Sequence, residues 1–234
     1  VQERIDRAIC AANRREGSVR LLPVTKNHPV DAANFALRAG IPSVGENRVQ
    51  EALGKIEEAN EGVRWELIGP LQSNKAKKAV ESFWRIQSVD RPKILTALQK
   101  RAEDLDVKLS VLLQINAGDD PNKSGAKFED AEALMEHALE QDRLDTEGLM
   151  TIAPLNRDPS VARSCFARLR ECRDRLADRF AIRLPELSMG MSGDLGEAIL
   201  EGSTLVRVGM ACMENANTNE SISYRGIALL SLVG

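Results

Sequence analysis

The sequence predicts an α/β protein, a single-domain (β/α)8 barrel, and three observations carry that expectation. Eight short apolar runs have strand length, helical patterns separate them, and about 200 residues hold them all. No Pro/Gly/Ser-rich linker, low-complexity tract or fixed-period repeat divides the chain, so one domain is the simpler count. An open doubly wound sheet is the alternative that the same alternation allows.

Ile5, Ala8, Ile9 and Ala12 recur at helical spacing and place an extra helix ahead of the first strand. Glu16-Gly17 breaks it, and Leu21 to Val24 forms strand one. Val30, Ala33 and Leu37 share a helical face that Gly40 closes, and Ile41 to Val44 forms strand two. The next helix begins near Asn47 and buries Val49, Ala52, Leu53 and Ile56, with Glu51 and Lys55 at the favourable i, i+4 spacing. Strands three to eight are expected at Trp65 to Ile68, Trp84 to Ser88, Lys108 to Asn116, Leu144 to Met150, Glu186 to Met189 and Thr204 to Val208. Between them, Leu95, Leu98, Ala102 and Leu105 mark one helix, and Phe128, Ala131, Met135 and Ala138 mark another. Val161, Cys165, Leu169, Cys172 and Leu176 mark a third, which makes core packing the reading of those two cysteines.

Composition narrows the function. With 32 Lys plus Arg against 35 Asp plus Glu, the formal charge is −3, which argues against a nucleic-acid coat. Only eight residues are aromatic and Tyr224 is the sole tyrosine, so stacking platforms for single strands are scarce. The basic Lys75 to Lys78 cluster begins a helix and reads as a solvated face. Four cysteines without CxxC spacing or a neighbouring histidine suggest neither a disulfide framework nor a zinc site. No run approaches the roughly 20 apolar residues that cross a bilayer, and Val1 to Arg4 has no signal-peptide core, so a cytoplasmic location is expected. His28 and His137 have no Ser or Asp at triad-like spacing and read as surface or satisfied residues.

Active sites of such barrels lie at the C-terminal strand ends. Those positions are polar here: Thr25-Lys26, Gly45-Glu46-Asn47, Gly69 to Gln72, Gln114 to Asn116, Ser188 to Ser192 and Arg207 to Gly209. Lys26 closes an apolar strand, where lost solvation lowers an amine's pKa and favours imine formation, although a lysine snorkelling into solvent fits equally. Arg207 interrupts Leu205 to Val208, and a buried guanidinium needs either a ligand or a structural Asp as its partner. Small residues at Ser188 to Ser192 and Gly209 suit a phosphate held by loop N–H groups. Lysine, arginine and small-residue loops together describe a pocket for a phosphorylated aldehyde, and pyridoxal 5′-phosphate is the candidate.

Several segments recur in one order: Val24-Thr25-Lys26, Val44 to Asn47, WELIGPLQSNK from Trp65 to Lys75, Gln114 to Asn116, Lys123-Ser124-Gly125, Gly148 to Met150, SMGMS from Ser188, and GSTLVRVG from Gly202. From about residue 2 to about residue 210 the chain resembles the YggS/PROSC family of pyridoxal phosphate homeostasis proteins, which resemble the barrel half of alanine racemase. The resemblance implies that Lys26 forms the internal aldimine and that Arg207 faces the pyridine nitrogen. It implies that Ser188, Ser192 and the backbone N–H groups of Gly209 and Met210 hold the phosphate, with Asn47 beside the ring. Three departures from the family pattern stand out: Met210 replaces Ser or Thr, Met213-Glu214 replaces Phe-Gly, and Glu66 replaces His.

The domain expected is a pyridoxal-phosphate barrel over 1–212, followed by a tail of unknown role over 213–234 that ends apolar from Ile227 to Val233. The implied role is binding the cofactor and balancing its cellular supply as a monomer, without efficient catalysis, with pyridoxal-phosphate-dependent apoenzymes as partners and neither nucleic acid nor membrane. The enzyme alternatives are an amino-acid racemase or a cofactor-free lysine imine lyase. Racemisation needs acid/base groups on both faces of the carbanion, and one lysine covers one face.

Overall fold

Parallel strands alternating with helices can hide both faces of a sheet, and in the computed structural model they do so by closing it. The structure describes residues 1–210. Helix α1 (Gln2–Ala11) precedes β1 (Arg20–Val24), α2 (Asp31–Arg38), β2 (Ser43–Glu46), α3 (Val49–Ile56), β3 (Arg64–Leu67), α4 (Ala76–Ser82) and β4 (Arg85–Val89). Then follow α5 (Pro92–Asp104), β5 (Leu109–Gln114), α6 (Ala131–Leu139), β6 (Leu144–Met150), α7 (Pro159–Phe180), β7 (Glu186–Met191), α8 (Leu195–Leu200) and β8 (Leu205–Gly209). The strands pair in chain order, and β8 returns to β1 with Leu22 beside Arg207 and Val24 beside Gly209. The barrel replaces the open-sheet alternative.

Period-2 alternation divides each strand between two environments. Val44, Leu67, Ile86, Leu113, Leu149 and Leu187 join the large apolar layer beneath the helices, together with Phe166, Leu169 and Cys172 of α7. The residues between them meet across the barrel. There, Leu22, Val24, Ile68 and Leu205 form only a small apolar cluster, and Glu66, Arg85, Gln87, Ser188 and Arg207 are buried polar groups.

A second cluster seals the seam between the first and last strands. Ile5 and Ile9 of α1 pack on Leu195 and Ile199 of α8 with Val206 and Val208. Full burial of such side chains stabilises by about 1.5 to 3 kcal/mol each. Arg14 adds hydrogen bonds to the carbonyls of Ile199 and Ser203, at 3.0 and 2.7 Å.

Some boundaries differ from the sequence expectation. Strand two starts at Ser43 and runs to Glu46, because Pro42 has no N–H to give to a ladder. Strand seven continues to Met191 through Gly190, whose φ of +94° suits only glycine. Leu105, expected on a buried face, follows the last residue of α5 and is exposed. Trp84 precedes β4 and is also exposed, stacked by Arg85 with 4.4 Å from guanidinium carbon to ring centre. The short helices α4 and α8 complete the alternation. Cys165 and Cys172 are buried as expected. The 213–234 tail and Met213-Glu214 lie outside the described residues.

Candidate functional site

The turn after β1 is pinned on both sides of Lys26. Thr25 N–H donates to the Gly45 carbonyl at 3.0 Å, and its hydroxyl donates to Glu46 Oε1 at 2.6 Å. Lys55 of α3 donates to the Thr25 carbonyl, Glu46 Oε1 and Glu51 Oε1 at 2.8, 2.7 and 2.8 Å. On the other side, Asn27 N–H donates to Glu51 Oε1 at 2.6 Å. Burial alone would push the Glu51 carboxyl up, but Lys55, the Asn27 N–H and Arg48 bring it below its usual range. Lys26 itself is exposed. The strand ends at Val24 and Lys26 falls in the following turn, so of the two readings the sequence left open the solvent-exposed lysine is the one found.

Asn47 follows β2 and is half-buried. Its backbone sets the shape of the neighbouring strand end, because a Cβ on Gly69 would lie 2.1 Å from the Asn47 carbonyl oxygen. Only glycine fits there.

Arg207 is buried inside the barrel with 3% of its surface exposed. Nη1 donates to Ser188 Oγ at 2.7 Å and Nη2 to the Thr151 carbonyl at 2.8 Å. Both partners are neutral, and among the described residues no carboxylate lies within 4 Å of the guanidinium. Burial pulls its pKa down to about 10, with Asp194 acting in the opposite sense. Burial likewise raises the Asp194 carboxyl, against the Met191 N–H and Arg207, which lower it. The Asp194 carboxylate accepts from Met191 N–H at 2.6 Å and so shapes the β7–α8 loop.

The expected phosphate ligands divide. Ser192, in that loop, is half-buried, and its carbonyl accepts from Arg4 at 2.9 Å. Gly209 ends β8 beside Val24, and a Cβ there would meet nothing within 4 Å, so space opens at this point of the mouth. At the other two positions the polar groups already have protein partners. Met210 N–H already donates to the Val24 carbonyl at 3.2 Å, extending the β1–β8 ladder, and its side chain is buried. The Ser188 hydroxyl is fully buried, accepting from Arg207 and donating to Gln87 Oε1 at 2.5 Å, so it supports the arginine.

Beyond the expected residues, the structure adds Thr151, Gln87, Glu66, Asp194 and Lys55 to this region. Thr151 directly follows a predicted strand, so position alone could have singled it out. The Glu51–Lys55 pair was legible as a helical pair, but not its reach to Glu46 and Thr25. A cleft of about 260 Å³ lies between the loops after β6 and β7, lined by Ala153, Pro154, Asn156, Arg157, Met191 and Glu197 among others. None of the expected ligands lines it. The Lys26 turn, Asn47 and Gly209 stand at strand ends of the barrel itself, and Arg207 lies within β8.

Residues 3–214 match the family model described as alanine racemase, N-terminal domain. A pyridoxal phosphate homeostasis protein of Aquifex aeolicus is 39% identical over 210 residues, 89% of this chain and 92% of that protein. One of Pseudomonas aeruginosa is 42% identical over 212 residues, 90% of each. Among solved structures, PipY of Synechococcus elongatus with PLP bound superposes with a TM-score of 0.78 at 36% identity, covering 88% of this chain and 98% of that one. An alanine racemase of Clostridium difficile shares the fold, with a TM-score of 0.69 at 13% identity over 89% of this chain and 56% of that one.

Proposed function

The chain belongs to the pyridoxal phosphate homeostasis protein family, and from that premise we propose that it binds pyridoxal 5′-phosphate at the C-terminal mouth of its barrel and serves cellular balance of that cofactor. The observation that carries this reading is Arg207, a buried guanidinium with two neutral acceptors and N–H groups left over. A pyridine nitrogen accepts from such a group without demanding a second buried charge. The open space at Gly209 and the exposed amine of Lys26 support the same fit.

When bound, the cofactor supplies an aldehyde that condenses with a lysine amine and a ring that accepts electron density. Lys26 would hold the aldehyde end, its position fixed by Thr25 and Asn27 on either side. Arg207 would donate to the ring nitrogen; with a pKa of about 10 it retains its own proton at neutral pH, so the ring would stay unprotonated, a weaker electron sink. Ser192 and Gly209 would hold the phosphate end, with Asn47 beside the ring.

Binding rather than turnover follows from this arrangement. Lys26 serves one face of a substrate carbanion, and among the described residues there is no tyrosine to serve the other; Tyr224 lies outside them. Cofactor-dependent apoenzymes are the recipients this role implies, with a cytoplasmic monomer as the acting species.

Borohydride reduction of the cofactor-loaded protein, followed by peptide mapping, tests the site: the label is expected on Lys26, and recovery chiefly on Lys75 or Lys123 would sink the assignment. Racemisation is tested by deuterium uptake at Cα of alanine, serine and glutamate. No turnover above free cofactor is expected, and rapid Lys26-dependent exchange would restore the racemase. A protein that takes up no cofactor at all would instead favour the cofactor-free lyase.

A further inference from the structure

We propose that Glu66 is a positioning residue for Arg207, acting through a one-way hydrogen-bond chain across the barrel interior. The inference rests on the reading that Arg207 meets the cofactor ring. A guanidinium can only donate, so Ser188 Oγ must accept from Arg207, at 2.7 Å. That leaves the Ser188 proton for Gln87 Oε1, at 2.5 Å. With its carbonyl occupied, Gln87 turns its amide nitrogen to Glu66 Oε2, at 2.6 Å. The chain therefore ends on an acceptor, and Glu66 supplies it.

Every member is buried: Glu66, Gln87 and Ser188 are 0% exposed and Arg207 is 3% exposed. Water cannot replace a missing link without entering the barrel, and an unmade bond here leaves a polar group unsatisfied. Glu66 is itself flanked by its register partner on the neighbouring strand β4. Arg85 Nη1 lies 3.8 Å from Glu66 Oε2, while Arg85 Nη2 pairs with Glu147 at 2.5 Å. Burial raises the Glu66 carboxyl, with Arg85, Gln87 and Arg20 lowering it and Glu186 raising it. Its Oε1 has no hydrogen-bond partner. A proton there leaves Oε2 free to accept, so the chain keeps its direction whichever state Glu66 adopts. The required property is an acceptor, not a charge.

Without that acceptor, Gln87 gains nothing from its present orientation. A flipped amide would offer N–H to Ser188, and the Ser188 proton would lose its acceptor beside a guanidinium that can only donate. Ser188 Oγ would then be shared between two donors, leaving the Thr151 carbonyl as the only undisturbed anchor of Arg207.

The test is a set of cofactor titrations followed by absorbance. Glu66→Met, which keeps the length and removes the acceptor, is expected to weaken affinity about fivefold, the effect of one hydrogen bond. Glu66→Gln, whose carbonyl can still accept from Gln87, is expected to restore affinity to within about twofold of the parent. Gln87→Met breaks the middle link without touching the carboxylate and should match Glu66→Met, which keeps the test open if one variant fails to fold. In an Arg207→Ala background neither substitution should weaken binding further.

A Glu66→Gln loss equal to that of Glu66→Met would make charge the requirement and overturn the proposal. So would full effects that persist in the Arg207→Ala background. If Arg207→Ala alone leaves affinity unchanged, the cofactor reading itself fails, whereas an Arg207→Ala effect without a Glu66→Met effect removes only Glu66.

Discussion

Lys55→Met should both destabilise the barrel and loosen the turn that carries Lys26. The ammonium makes three bonds, to the Thr25 carbonyl, Glu46 Oε1 and Glu51 Oε1, and its side chain is 11% exposed. Methionine keeps the buried stem, so the change isolates the charge and its bonds. Glu46 is 0% exposed and its Oε2 has no hydrogen-bond partner, so removal of Lys55 leaves a buried carboxylate held only by the Thr25 hydroxyl. Breaking a buried pair from one side costs about 3 to 5 kcal/mol. At about 2 to 4 °C per kcal/mol for a domain of this size, Tm should fall by about 6 to 20 °C. Thermal melts of the cofactor-free protein by circular dichroism measure it. The double variant Lys55→Met/Glu46→Gln removes the stranded charge and should recover at least about 1 kcal/mol. A fall in Tm below about 2 °C, or a double variant less stable than the single one, would refute the reasoning.

Arg207→Ala should weaken pyridoxal 5′-phosphate binding by about 10- to 150-fold, the effect of one charged hydrogen bond, with circular dichroism still showing a folded barrel; affinity within twofold of the parent removes the arginine from the site. Gly209→Val places a side chain where a Cβ meets nothing within 4 Å, so Tm should change little while cofactor uptake falls sharply. Unchanged uptake would show that the mouth at Gly209 is not the entry for the phosphate end. Burial pushes the Cys165 thiol up to about 11, so at pH 8.5 its alkylation should lag far behind that of exposed Cys10, as read by mass spectrometry of time points. Equal rates would mean that α7 opens readily.

How much of this was legible depended on whether a feature lies along the chain or across it. Leu144 to Met150 coincides with β6, and the helical spacing of Cys165, Leu169 and Cys172 correctly placed them inside, because period and burial are local properties. Arg207 stood out as a charge inside an apolar run. The chain from Arg207 to Glu66 did not, since it joins residues 19, 101 and 21 positions apart, and only barrel register brings them within reach. The resemblance implies a phosphate role for Ser188, but the sequence does not show which neighbour claims its hydroxyl inside β7. The engagement of the Met210 N–H is hidden for a similar reason: whether an N–H is free depends on where the pairing of β1 with β8 stops.

The packing of α1 against α8 has a consequence for how the molecule is made. Ile5 and Ile9 emerge from the ribosome well before Leu195 and Ile199, and the β1 edge emerges nearly as long before its β8 partner. During synthesis the first helix and first strand must therefore wait, their apolar surface unmatched, for almost the whole described chain to appear. Closure of the ring and burial of that helix are one late event. Chaperone occupancy of the nascent chain should persist until the segment around Leu205 to Gly209 clears the exit tunnel.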